Sequence, residues 1–391
     1  MRCDKISHVH PKDSKTVRIL LNTKPMVLPI RTGIGYYVSN LYRELGKAGV
    51  EVTPTRGEAA RSAMDILGRV SSGLKESLGI RRSRILTFFG DALTRLVLRK
   101  STSDAFDLYH ETTLDPFPEI KSRSVCNLFD LSFLRFPGHF PGDLAEAATR
   151  NVTKSVSLAE RIIVNTSFIR DEAVSLLKLP PEKIDIIPLA ASLSCDGPAA
   201  PGQRPGEVRR FTDKDYILFV GTVDPRKNLK TLVRAFREVR EHHDLSLVIC
   251  GAFGALSDDI VSFPEELNIG KDVIFTNYVD ESTLLHLYRS ASLLVYPSFY
   301  EGFGIPPLDA MSCNVPVIVS DIPPLREVCG DAALSFSPED HEELALRIRT
   351  ILTSDSLRSE MVLKGAQRVG RYSWQRVAEE TVRTYRKALA Q

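Results

Sequence analysis

The stretch that decides the fold runs from Tyr296 to Ser320, YPSFYEGFGIPPLDAMSCNVPVIVS. It opens on the end of an apolar strand, Leu293–Tyr296, and closes on another, Val315–Ser320. Between them lie a loop carrying Glu301, the turn Gly302-Phe303-Gly304, and a helix whose first turn holds Pro306 and Pro307. Proline suits that turn because the N–H it lacks would have no partner there. Glycine admits backbone angles closed to other residues and lets a ligand approach the chain. A helix N-terminus aims free N–H groups and partial positive charge at whatever sits before it, which suits phosphate. Glu301 and Asp309 lie eight positions apart around that point. Carboxylates beside a phosphate site serve to hold the hydroxyls of a sugar or ribose. Strand, glycine turn, helix and strand make the repeating unit of a parallel α/β sheet.

The same pattern extends in both directions. Upstream, the apolar run Tyr216–Val220 leads into the loop Gly221–Asn228, GTVDPRKN, and then into a helix with Leu229, Leu232, Val233, Phe236 and Val239 on one face. Arg226 and Lys227 in that loop are placed to neutralise charge developing on a leaving phosphate. Leu245–Cys250 and Val273–Phe275 are further strands of this second sheet. The N-terminal half starts the same way. Val17–Leu21 predicts a strand and Asn22–Thr32 a loop; Ile34, Val38, Leu41 and Leu45 predict a helix face. Gly33-Ile34-Gly35 begins like a dinucleotide-binding turn, but Val38 stands where its third glycine belongs. Leu108–His110, Ser124–Phe129, Arg161–Val164 and Ile184–Leu189 complete a first sheet. Residues 195–214, rich in proline, glycine and charge, predict the linker, and Trp374–Leu389 a long amphipathic tail helix.

Composition sets the outer bounds. A chain of 391 residues, 43% hydrophobic and 26% charged, suits two globular domains. Lys+Arg 51 against Asp+Glu 49 gives a formal net charge of +2, which argues against a nucleic-acid partner. The six cysteines are scattered without a CxxC, so neither a zinc cluster nor a disulfide framework is expected. The longest uncharged run, Leu245–Ser257, has 13 residues, short of the ~18 that suggest a membrane span. The N-terminus has no apolar signal region, so a cytoplasmic protein is expected. Phosphate-loop, GxSxG and HExxH signatures are absent. Residues 56–100 carry ten Arg/Lys and four acids, with apolar residues at helical spacing. They read as a surface helical hairpin, or as a basic amphipathic patch resting on the inner face of an anionic membrane.

Four segments together resemble the retaining glycosyltransferases of family 4: FVGTVDPRKNLKTLVRAF (219–236), the stretch 274–334 containing YEGFGIPPLDAM, RTGIGYYVSNLYREL (31–45) and DLSFLRFPGHF (130–140). The resemblance implies the GT-B fold, two Rossmann-like α/β/α domains facing a cleft. An acceptor-binding domain would span 1–200 and a nucleotide-sugar-binding domain 201–372, with 373–391 a helix returning to the first. It implies transfer of a hexose from a nucleotide-diphosphate donor to an acceptor hydroxyl of a polysaccharide, lipopolysaccharide or glycolipid, with retention of configuration. GDP-mannose is the favoured donor. A UDP- or dTDP-sugar transferase, 6-deoxyhexose included, and a nucleotide-sugar-binding protein with little transferase activity are the alternatives. By the same resemblance Glu301 contacts the donor sugar. Asp309, one methylene shorter than the usual Glu, holds the ribose, and Lys227 with Arg226 holds the diphosphate. The backbone at Gly302, Phe303 and Gly304, and at Gly33 and Gly35, closes on the phosphates. No metal or other cofactor is expected. One departure stands out: Phe129 occupies the position of the family's usual His, which leaves His110 as the polar candidate of the N-terminal domain.

Overall fold

The computed structural model describes residues 16–27, 32–55, 106–114, 122–193, 195 and 206–390. The basic segment 56–100, and with it the expected membrane patch, lies outside the described residues, as does the stretch 196–205 of the linker.

Two six-stranded parallel sheets organise the chain. The first has the order β2-β1-β3-β4-β5-β6, with β1 Arg18–Leu21, β2 Glu51–Pro54, β3 Leu108–Glu111, β4 Ser124–Leu128, β5 Arg161–Val164 and β6 Ile184–Ile186. The second has the order β12-β11-β10-β7-β8-β9, with β7 Asp215–Val220, β8 Leu245–Cys250, β9 Val273–Asn277, β10 Leu293–Tyr296, β11 Val317–Ser320 and β12 Leu334–Phe336. β3, β5, β8, β10 and β11 are buried along their whole length, the signature of a parallel sheet covered on both faces. Two strands were not expected from the sequence. β2 is a half-exposed edge reading EVTP, and β12 is a three-residue edge.

The helix Gly33–Lys47 buries Val38, Leu41 and Leu45 as the spacing predicts, with Tyr37 added to that face. Ile34 departs from it and stays 36% exposed, because the helix N-terminus opens towards the cleft. The tail helix, Trp374–Ala390, follows the second sheet but packs on the first domain. It lies against the helix Gly33–Lys47 and strands β4 and β5. It buries Val377, Val382 and Tyr385, each large apolar side chain contributing roughly 1.5–3 kcal/mol. Polar ties fix its register: Arg123 Nη1 donates to the Ala388 carbonyl at 2.8 Å, and Lys387 pairs with Asp185 at 2.6 Å.

Each sheet has one switch point, where successive strands depart to opposite sides: between β1 and β3, and between β7 and β10. Ligands of open parallel sheets bind outside the carboxyl ends of the strands at that point. The two switch points carry the residues that follow β1, from Asn22, in one domain and the loops following β7 and β10 in the other.

Candidate active site

Hydrogen bonds join the loop after β7 to the loop after β10. Pro225–Lys227 forms a single turn of 3-10 helix, and Asn228 follows with φ 56°, in the left-handed region that asparagine tolerates. The Asn228 side-chain amide donates to the carbonyls of Pro297 at 3.0 Å and Pro338 at 2.7 Å. The Phe299 N–H donates to the Arg226 carbonyl at 2.9 Å, and Arg226 Nη1 to the Tyr300 carbonyl at 3.0 Å. Asn228 is therefore a positioning residue that the sequence reading passed over.

This seam brings the three expected charged residues together. Lys227 Nζ lies 2.5 Å from Glu301 Oε1 and donates to the Tyr296 hydroxyl at 3.1 Å. Arg226 Nη1 lies 3.4 Å from Glu301 Oε2. Lys227 is 6% and Glu301 7% exposed, so the charges meet in a dry environment where Coulomb attraction is strong. Burial, the largest influence on Glu301, would raise its pKa; Lys227 and then Arg226 outweigh it and hold the carboxyl below its ordinary value. Lys227 is lowered by burial first and by Arg226 second, with Glu301 pulling the other way.

Beyond Glu301, Gly304 has φ 104° and starts the helix Ile305–Ser312, with Pro306 and Pro307 in its first turn. A side chain at Gly304 would be strained by that angle and would meet Leu325 Cδ2 at 2.6 Å. From the other domain, the helix Gly33–Lys47 presents its own N-terminus. A Cβ placed on Gly33 would lie 3.9 Å from Ile305 Cδ1, so the two helix N-termini face each other across the cleft. Two cations, a carboxylate and two converging helix N-termini thus lie together, an arrangement whose electrostatics suit an anionic ligand.

Residues 204–368 match the family described as glycosyl transferases group 1. The chain is a glycosyltransferase that carries a group 1 domain. It is 29% identical to O-antigen chain mannosyltransferase B of Escherichia coli over 391 residues, 95% of this chain and 100% of that one. It is 28% identical to the O-antigen chain mannosyltransferase RfbU of Salmonella typhimurium over 244 residues, 61% of this chain and 64% of the relative. Sucrose-phosphate synthase from Thermosynechococcus elongatus shares its fold at a TM-score of 0.71 and 19% identity, covering 96% of this chain and 100% of that one. The fold is GT-B, with the tail helix returning to the first domain.

Other expected residues of the glycosyltransferase have more particular placements. Asp309, 4% exposed, accepts from the backbone amides of Ser192 at 2.6 Å and Leu193 at 3.1 Å, so in this state its carboxyl anchors the interdomain connection. Burial pushes that carboxyl up to about 7, the two amides opposing. Phe303 packs its ring edge-on against Tyr372, centroids 5.9 Å apart, which leaves its backbone facing the turn. Gly302 is required by the other domain, since a Cβ there would meet the Phe129 carbonyl oxygen at 1.8 Å. The Phe129 ring lies edge-on to Tyr37, centroids 5.0 Å apart, as an apolar wall.

His110 is 0% exposed. Its Nδ1 pairs with the Tyr385 hydroxyl and its Nε2 with Asn127 Oδ1, both at 2.7 Å. Burial lowers its pKa to about 4. An enclosed neutral ring with both nitrogens occupied has nothing to offer a substrate, so its expected catalytic role gives way to a structural one that ties the tail helix to the sheet. The cysteine expectation is also corrected. Cys195 and Cys313, 118 residues apart, form a disulfide that joins the start of the linker to the residue capping the helix Ile305–Ser312. Among the described residues no three His, Cys, Asp or Glu converge as metal ligands, and no helix is long and apolar enough to cross a membrane.

Proposed function

We propose that this glycosyltransferase moves a mannosyl group from GDP-mannose to a hydroxyl of a polysaccharide, lipopolysaccharide or glycolipid acceptor, with retention of anomeric configuration. The observation that carries the reading is the cluster of Glu301, Lys227 and Arg226 at the switch point of the second sheet, in front of a helix N-terminus. The two O-antigen mannosyltransferases among its relatives favour mannose as the sugar.

In this reading the diphosphate lies between the two helix N-termini, and Lys227 and Arg226 take up the charge that builds on it as the glycosidic bond breaks. Glu301, adjoining both cations, faces the sugar. The acceptor hydroxyl attacks from the face the leaving phosphate vacates and passes its proton to that phosphate. The side chains then contribute positioning and electrostatics, with no protein base required. Two side-chain cations already serve the leaving group, so EDTA is expected to leave turnover unchanged.

The test is a thermal-shift screen of GDP, UDP, dTDP and ADP, since a ligand that binds only the native state raises its stability by mass action. GDP should give the largest shift. GDP-mannose turnover should then yield a product whose anomeric proton coupling matches that of the donor. A larger shift with UDP or dTDP overturns the donor, and an inverted product overturns the mechanism.

A further inference from the structure

The residue before Glu301 belongs, by its side chain, to the other domain. Tyr300 is 5% exposed and inserts into the apolar cluster of the first domain, edge-on to Phe136 and Phe168, each centroid 5.8 Å away. Its hydroxyl donates to Glu172, on the helix Ser167–Leu177, and accepts from the Leu131 N–H at 3.0 Å. Glu172 is itself buried and held by Arg135 at 2.5 Å. One residue beyond Glu301 the pattern repeats, as the Thr166 hydroxyl donates to the Gly302 carbonyl at 3.0 Å. Thus the first domain grips the loop at Tyr300 and at Gly302, while Glu301 between them points back to Lys227 and Arg226. On the second-domain side, Arg226 holds the Tyr300 carbonyl at 3.0 Å.

The geometry points to Tyr300 as a positioning residue: its hydroxyl, anchored on Glu172 and the Leu131 amide, aims Glu301 and registers domain closure at the donor site. The inference rests on Glu301 being the acid that faces the donor sugar. A bond that spans the cleft forms only when the domains close, so it places Glu301 correctly when the acceptor domain is in contact. A buried Tyr–Glu pair with no such role would affect stability and leave the catalytic step alone.

Tyr300→Phe keeps the ring and its packing and removes only the hydroxyl. It should lower kcat about tenfold or more, with nucleoside diphosphate affinity, titrated across the GDP, UDP, dTDP and ADP panel, unchanged within twofold. Glu172→Gln retains an oxygen acceptor and should keep an intermediate rate. The two changes combined should cost no more than Tyr300→Phe alone, because both break one link. Wild-type kcat in Tyr300→Phe, or a full additive loss in the double variant, overturns the proposal. A second readout needs no donor. The Leu131 amide should exchange its hydrogen faster in Tyr300→Phe than in wild type, while amides in β7 and β8 keep their protection. Unchanged Leu131 protection overturns the link even if GDP-mannose is the wrong donor. An inactive wild type whose Leu131 amide behaves as expected removes only the donor assignment.

Discussion

Lys227→Met exposes the electrostatics of the site most directly. The replacement is unbranched and of similar length, so it removes the charge with little change in volume. It takes away an ammonium 2.5 Å from Glu301 Oε1 and leaves Arg226, whose Nη1 is 3.4 Å from Oε2, as the remaining cation. Removing one partner of a buried ion pair costs about 3–5 kcal/mol, because the other charge is left without compensation. Arg226 stays, so the lower end applies, about 3 kcal/mol, or roughly a 150-fold smaller folding constant. Urea unfolding at pH 7 of wild type, Lys227→Met, Glu301→Gln and the double variant reads this out. The double variant should recover most of the loss, since the orphaned carboxylate is gone. The pH dependence has a definite sign. In wild type the folded Glu301 carboxyl lies below its ordinary value of 4.5, so its contribution is present above that value and is lost as pH falls through the folded one. In Lys227→Met burial is less opposed and the folded value rises, so the deficit should shrink as the pH drops and the carboxyl protonates. Nucleoside diphosphate affinity should fall at least ~10-fold, the loss of a charge-assisted hydrogen bond of about 1.5–3 kcal/mol. A Lys227→Met protein within about 0.5 kcal/mol of wild type, with unchanged affinity for every nucleotide tested, would refute the reasoning.

Glu301→Gln should reduce turnover at least ~100-fold and leave nucleotide affinity largely intact, measured by steady-state kinetics and titration calorimetry. Asp309→Asn keeps an oxygen for the Ser192 and Leu193 amides without the buried charge. The wild-type carboxyl, pushed up to about 7, makes stability fall as pH rises from about 4 to 7, so the variant should match wild type near pH 4 and exceed it at pH 8 by chemical denaturation. Gly302→Ala drives a methyl into the Phe129 carbonyl oxygen, so it should lower stability by about 1–3 kcal/mol and slow turnover. Phe129→His replaces the apolar wall against Tyr37 with a hydrogen-bonding group, and should shift preference towards 6-hydroxylated over 6-deoxy donors in a competition assay.

Both sheets were legible in the sequence because their central strands are short apolar runs set between glycine turns and helical spacing. Arg161–Val164, Leu245–Cys250 and Leu293–Tyr296 appear at the residues expected. The edges were not. Glu51–Pro54 alternates exposed and half-buried residues, and Leu334–Phe336 is too short to show a period. The meeting of Glu301, Lys227 and Arg226 was legible for a related reason, since each sits in a strand-to-helix loop of the same sheet. What stayed hidden is long-range pairing. His110 meets Tyr385 across 275 positions and Tyr300 meets Glu172 across 128, and nothing local to either residue reports its partner. A buried histidine reads the same in sequence whether it waits for substrate or bonds a distant tyrosine.

On the proposed function, charge balance makes catalysis depend on both domains. Around the cluster, Arg226 and Lys227 face Glu301, Asp224 lies 3.9 Å from Arg226 and Asp130 also acts on that guanidinium, so the side chains hold no spare positive charge. A nucleoside diphosphate brings about two more negative charges. Lys227 can turn from Glu301 to a phosphate, but that leaves the carboxylate less compensated and gains little overall. The remaining compensation must come from fixed dipoles. Each helix N-terminus is worth roughly half a positive charge within its first turn. The helix Ile305–Ser312 supplies one and Gly33–Lys47 the other, and the second acts only where Gly33 approaches Ile305. Closure of the cleft thus completes the electrostatics of the leaving group. The contacts that enforce it, at Tyr300, Gly302 and Phe129, fall on the residues beside Glu301 and on the wall opposite, where a change in domain spacing is felt at once by the reacting atoms.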